Sequence, residues 1–208
     1  GRSKTVPCRP GERLGAWKTT SRRAGQLRWI APERLVAGRI VSRGEVLGHV
    51  LAGDRLVADT SPDIKGQRLL AAYDAGGELV GVAAEAAARG YADLVHLVYG
   101  YDPVRETITG FAVVKMAETP GLGDKILTDK GFLANFPNLD ARLSADGAAL
   151  ANPIVTVGHG KKTDPWQIDA IAGATVTSRA VGAALNQGAG KLLPQLRRHL
   201  ETLRRNKP

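Results

Sequence analysis

The sequence predicts an α+β fold, an antiparallel sheet or sheets with helices packed to one side. Two observations carry that reading. Short strand-like runs separated by Gly, Pro and Asp turns follow one another from residue 39 to residue 115, and a single long helical periodicity begins at Ser178. The bulk composition agrees with a folded domain, at 43% hydrophobic and 24% charged over 208 residues, enough chain to bury a sizeable core.

Taken in order, residues 1–37 are rich in Arg, Gly and Pro with weak periodicity, which predicts an irregular or partly helical basic arm. Trp17 and Trp29 in it either pack onto the body or dock on a partner or membrane interface. Strand-like runs then cover 39–42, 46–52, 55–59 and 65–73, with turns at Arg43-Gly44 and Gly53-Asp54. Gly76-Gly77 turns the chain into a run over 79–88, so 38–89 is expected to be a strand-rich subdomain packed on the core.

Residues 90–208 form the second expected unit. Runs over 93–101 and 107–115 predict a hairpin joined through Asp102-Pro103. Short helices are expected over 124–128 and 131–135, with Phe132 and Phe136 four apart as core residues. A short strand is expected over 154–157. Val181, Leu185, Ala189, Leu192, Leu196, Leu200 and Leu203 then recur in steps of three or four and define the buried face of a helix. Thr177 or Ser178 is its expected N-cap, and Pro194 should bend or break it near the middle.

The net charge of +9 is concentrated in basic residues near the two ends, including Arg197, Arg198, Arg204 and Arg205. Solvated faces, anionic lipid or an acidic partner subunit would each account for it. Nucleic acid is disfavoured, because there is no paired-cysteine finger, no RNA-stacking motif and only 5% aromatic residues. Cys8 is the single cysteine, so no internal disulfide can form, and the four histidines are too scattered to suggest a metal site. No run of 18 uncharged apolar residues is present. The chain begins at Gly1 rather than Met, so a membrane anchor or signal is expected to lie outside this sequence.

Two motifs carry chemistry. The first is Asp169-Ala170-Ile171-Ala172-Gly173-Ala174-Thr175, followed by Val176-Thr177-Ser178 and the helix. Gly173 and Ala174 are the smallest residues available, so a bulky group can approach the Thr175 hydroxyl without striking a side chain. Thr175 just ahead of a helix N-terminus would also meet unpaired N–H groups and the positive dipole end, which favour a phosphate. The plainer alternative is a tight turn in which Thr175 merely caps the helix. The second motif is Glu118-Thr119-Pro120-Gly121-Leu122-Gly123, a Pro-Gly turn closing the run that ends at Lys115. Its Leu122, flanked by glycines, is either tucked into the core or offered to a flat ligand.

Together the two motifs resemble the FMN-binding domain of the flavin subunits of Rnf-type electron transport complexes and of the sodium-pumping NADH:quinone reductase. The similarity runs from Gly90-Tyr91 through Ile108-Thr109-Gly110 and Glu118 to Lys125, then Asp169 to Ser178, close to half the chain. In that family a flavin transferase splits FAD and joins the FMN phosphate by a phosphoester to the last threonine of the motif, here Thr175. The resemblance implies that Asp169 is read by the transferase, that Glu118, Thr119, Pro120, Gly121, Leu122 and Gly123 shape the ring site, and that Gly173, Ala174, Val176 and Thr177 border the flavin. One departure is visible: Ala172 stands where the family has Ser or Thr, which removes a hydroxyl beside the phosphate.

A flavin carries the electrons itself, so neither a catalytic residue nor a metal ligand is expected. The resemblance implies a non-catalytic electron-carrier subunit of an ion-translocating membrane complex. Its partners would be the other subunits and, transiently, the flavin transferase, on the outer face of a bacterial cytoplasmic membrane. The Rnf type is preferred because Glu-Thr-Pro-Gly-Leu-Gly-Asp-Lys-Ile fits it more closely. The rivals are a free-standing or excised flavin reductase with the same covalent FMN, and a flavin-free binding module.

Overall fold

The computed structural model describes residues 45–60, 63–74 and 76–205. The expected arm with Cys8, Trp17 and Trp29, and the run over 39–42, lie outside the described residues. The rest builds a seven-stranded antiparallel sheet with one long helix across a face, the expected α+β class.

The strands are β1 (Glu45–Ala52), β2 (Arg55–Ala58), β3 (Gln67–Tyr73), β4 (Leu79–Arg89), β5 (Leu94–Asp102), β6 (Thr107–Lys115) and β7 (Leu139–Asp140), in spatial order β2-β1-β3-β4-β5-β6-β7. From β3 to β6 the order is that of the sequence, as tight turns between antiparallel neighbours require. β4 and β5 pair from Val82↔Tyr101 to Arg89↔Leu94, so residues 90–93 form the turn between two hydrogen-bonded neighbours of one sheet. A separate parallel pair joins β8 (Val155–Val157) and β9 (Gln167–Asp169).

Between β6 and β7 lie a 3-10 helix (Gly123–Leu127) and a short α-helix (Lys130–Leu133), close to the two expected short helices. Asp129 caps the second by accepting from Phe132 N at 2.8 Å. Phe132 and Phe136 are buried in the core as expected, and with Phe111 they form an edge-to-face cluster, the 111–136 centroids 4.6 Å apart.

The long helix spans Thr175–Arg205. Val181, Leu185, Ala189, Leu192, Leu196 and Leu203 are fully buried and Leu200 is partly buried, along the face its periodicity defined. They pack on Leu69, Ala71, Val82, Ala84, Leu97 and Tyr99 of the sheet. Tyr73 on β3 donates its hydroxyl to Leu203 O at 2.9 Å, fixing the far end. A second, smaller apolar cluster of Leu70, Ala72, Ala83, Val98 and Ala112 lies on the opposite face of the central strands.

Two helix expectations need correction. Of the bend or break expected at Pro194, the break does not occur, and the helix runs on to Arg205. Leu192, Leu193 and Leu196 are buried on either side of it and hold both halves to the sheet, and Gln195 Nε2 donates to Lys191 O at 3.1 Å beside the missing backbone donor. The helix also starts earlier than Thr177 or Ser178. Ser178 N donates to Ala174 O at 3.0 Å, so the Ala174 carbonyl receives the first helical bond and Thr175 lies in the first turn.

Because Leu185 is fully buried between helix and sheet, Leu185→Ala should lower stability by about 2–5 kcal/mol, read from the shift of the urea unfolding midpoint.

Candidate functional site

The two motifs, about fifty residues apart in sequence, meet at one carboxylate. Glu118, in the loop after β6, is buried and accepts from Ala92 N at 3.1 Å, from Tyr91 N at 3.2 Å and from the Thr177 hydroxyl in the first turn of the long helix. Three segments therefore converge on it: the β4–β5 turn, its own loop and the helix start. Burial opposes its ionisation, but the bonds from the Thr177 hydroxyl and from the backbone of Ala92, Tyr91 and Asp93 outweigh that cost and hold the carboxyl below its ordinary range.

Glycines on two sides make room for this carboxylate. A Cβ on Gly90 would stand 2.5 Å from Glu118 Oε1, and one on Gly123 would stand 2.7 Å from Glu118 Cβ and 2.9 Å from Thr177 Oγ1. Both contacts are closer than any side chain tolerates. The Gly123 position is thus set by packing against Glu118 and the helix.

The loop between them is shaped locally. Leu122 N and Gly123 N donate to Thr119 O at 3.2 and 3.0 Å, and Gly121, at φ 78°, donates to Asp124 Oδ1 at 2.7 Å. Thr119, Pro120 and Gly121 are exposed on its crest. Leu122, left open between core and ligand by the sequence, faces outward with 50% of its surface exposed. Val176, next to Thr177, is 49% exposed, and Tyr91, next to Gly90, is 72% exposed. Each lies within two residues of a group bonded to or packed on the Glu118 carboxylate. These exposed apolar and aromatic residues, each beside a residue anchored at the junction, make up its rim.

The other motif ends beside that rim. Thr175 is half-buried at the start of the helix, whose first turn carries no acidic residue. Its free N–H groups favour an anion. Ala172 and Gly173 are exposed, nothing lies within 4 Å of where a Cβ on Gly173 would stand, and Ala174 is buried. Ser178 closes the loop from within, its Oγ donating to Ala174 O at 2.9 Å and accepting from Ile171 N at 3.1 Å.

Asp169, at the head of the motif, is half-buried. Its carboxylate accepts from Lys161 N at 3.2 Å and lies 3.7 Å from His159 Nδ1, which itself approaches Ala170 O at 3.0 Å. Lys162 donates from Nζ to Asn135 Oδ1 at 3.1 Å, and burial lowers its pKa against the opposing pull of Asp169. Among the described residues no group of three or more His, Cys, Asp or Glu could hold a metal ion, and no helix is long and apolar enough to cross a membrane.

The residues brought together are those that carry the sequence resemblance, and the family comparison falls on the same stretch: residues 90–190 match the model of the FMN-binding domain family. That stretch belongs to the family. The matched stretch begins at the Gly90 turn and includes both motifs. Among curated relatives, the G subunit of the ion-translocating oxidoreductase complex of Methanosarcina acetivorans is 35% identical over 115 residues, 54% of this chain and 52% of that one. Its counterpart in Pasteurella multocida is 37% identical over 110 residues, 51% of this chain and 48% of that one. The chain thus spans about half the length of the curated relatives it matches.

Solved structures show the same fold. NqrC of Shewanella oneidensis superposes with a TM-score of 0.58 at 21% identity, covering 80% of this chain and 87% of that one. The corresponding protein of the Na(+)-translocating NADH-quinone reductase of Parabacteroides distasonis gives 0.56 at 20% identity, covering 73% and 77%.

Two residues at the candidate site were given no role in it by the sequence reading, although the similarity begins at Gly90-Tyr91. Tyr91 sits in the β4–β5 turn, and its backbone bond to Glu118 puts it at the junction. Asn135 is buried between the short helix and Asp169, and nothing in its sequence context marks it.

The junction makes two predictions. Gly123→Ala should cost about 1–3 kcal/mol of stability by prising Glu118 from Thr177, measured by urea unfolding. Folding depresses the Glu118 pKa, so its stabilisation is complete above the ordinary value of 4.5 and is lost as pH falls through the lower folded-state value. The stability gap between the wild type and Glu118→Gln should be widest near neutral pH and close in acid. A gap independent of pH would show that the carboxylate is not held ionised.

Proposed function

We propose that this chain is an electron-carrier subunit of a membrane ion-translocating electron transport complex of the Rnf type, with FMN joined through its phosphate to Thr175. The observation that supports it most is the convergence of both motifs on Glu118, which puts a half-buried threonine hydroxyl, a helix N-terminus and an exposed apolar rim together. Each matches one part of the cofactor. The rim of Leu122, Val176 and Tyr91 offers apolar and aromatic surface to a flat ring system, and the N–H groups of the first helical turn suit a phosphate.

FMN supplies one- and two-electron transfer when bound; the protein holds and tunes it. In the attachment, the Thr175 oxygen attacks the FMN-side phosphorus of FAD, the phosphoanhydride bond breaks, AMP leaves, and the hydroxyl proton passes to solvent or to a base on the transferase. No redox change is involved. Ala172 and Gly173 leave the approach to that oxygen open, and the exposed crest of Thr119, Pro120 and Gly121 is available to border the ring. Asp169 offers the transferase an acidic group at the head of the loop. An attachment of this kind keeps the carrier in place in every redox state, so a shallow site suffices.

The partners in this reading are the other subunits of the complex, on the outer face of a bacterial cytoplasmic membrane. The relatives named as G subunits of ion-translocating oxidoreductase complexes support the partner subunits in this reading. Of the described basic residues near the end of the long helix, Arg198 is committed to Asp54 at 3.1 Å and Arg204 to Glu201 at 2.6 Å.

Co-expression with a flavin transferase should add one FMN-sized increment to the intact mass and leave a yellow chain after denaturation and filtration. Thr175→Ala should abolish both. Retention of the increment in that variant would move the attachment elsewhere, and its absence from the wild type would remove the covalent reading.

A further inference from the structure

The loop that carries Thr175 is gripped at both ends by side chains that contribute nothing to its exposed surface. At its head, buried Asn135 works as a clamp on a single residue: its Oδ1 accepts from Asp169 N at 3.0 Å and its Nδ2 donates to Asp169 O at 3.2 Å. Both backbone groups of Asp169 are thereby satisfied by one carboxamide, as a neighbouring strand would satisfy them. The clamp is itself anchored. Asn135 Nδ2 also donates to Phe132 O at 2.9 Å, Oδ1 accepts from Lys162 Nζ at 3.1 Å, and the flanking Phe132 and Phe136 belong to the buried aromatic cluster.

At the tail, the Ser178 hydroxyl bridges Ile171 N and Ala174 O, while Ile171 and Ala174 are themselves buried. Only Ala172 and Gly173 between these grips are exposed, with Thr175 half-buried after them. A seven-residue segment with glycine near its end is costly to order, since fixing each backbone costs roughly 1–2 kcal/mol. Here that ordering is done by the fold.

We infer that the flavin transferase takes this segment as a preformed loop, and that Asn135, with Ser178, is a positioning residue for flavin transfer to Thr175. The inference rests on the proposed attachment at Thr175 and deepens it. Neither residue meets the flavin donor. They act by raising the fraction of chains whose loop is already in the shape the transferase binds, and the apparent affinity for the substrate protein falls in proportion to that fraction. The chemical step is untouched: the Thr175 oxygen still displaces AMP from FAD.

The test is steady-state transfer of FMN from FAD to the full chain by a flavin transferase, with the substrate protein as the varied reactant. Asn135→Ala frees both backbone groups of Asp169, and Ser178→Ala frees Ile171 N. Each should raise KM for the chain about tenfold, the loss of one or two net hydrogen bonds, with kcat within about twofold of the wild type. The double variant should raise it further.

Far-UV circular dichroism and melting of each variant establish that the sheet and helix remain. If Asn135→Ala does not fold, Ser178→Ala decides alone, because it removes one hydroxyl from a helix that keeps its apolar face. Wild-type KM in a folded variant overturns the inference, and so does a fall in kcat at unchanged KM, which would put the residue in the chemical step. Failure of the underlying attachment looks different. The wild type itself would then gain no FMN, or Thr175→Ala would keep it.

Discussion

The Glu118 carboxylate is the point on which the site depends. A buried carboxylate must be hydrogen-bonded or it will not stay ionised, and here its partners come from two parts of the chain distant from its own loop. The requirement works as a geometric constraint. It brings the Gly90 turn, the Pro-Gly-Leu-Gly loop and the first turn of the long helix into contact, and it leaves no space for a side chain at Gly90 or Gly123. Beside those fixed backbones, Tyr91, Leu122 and Val176 are exposed.

This arrangement needs a rigid support, and the sheet and helix provide it. The apolar stripe from Val181 to Leu203 lies flat on the central strands, and the Tyr73 hydroxyl holds the far end. The helix cannot slide without breaking that seam, so Thr175 and Thr177 at its start are held in place by contacts far from them. The aromatic cluster of Phe111, Phe132 and Phe136 does the same for the short helix and for the Asn135 side chain beneath the motif. Rigidity is concentrated under the loops, while the residues facing a ligand are small, apolar or exposed.

Much of this is legible in the sequence. The strand runs from residue 46 to residue 115 match β1 to β6 within about two residues at either end, because alternation and Gly or Asp turns are local signals. β7 and β9, of two and three residues, carry too little pattern to be read. The strength of Ser and Thr as caps misplaces the helix start. Ser178 does bond backbone groups near a helix start, but from inside the first turn. Pro194 is a helix breaker by its local effect, which the packed leucines around it override.

The sequence by itself determined the α+β class, the helix face, and the two motifs with Thr175 at the end of one and Leu122 on the turn of the other. These are properties of neighbouring residues, set by periodicity, turn chemistry and side-chain size. Only the tertiary structure decided that Leu122 faces outward, that Tyr91 joins it, that Thr177 is turned inward to Glu118, and that Asn135 grips Asp169. The bonds of Tyr91, Thr177 and Asn135 each reach a partner tens of residues away, and a buried hydrogen bond across such a distance leaves no trace in local pattern.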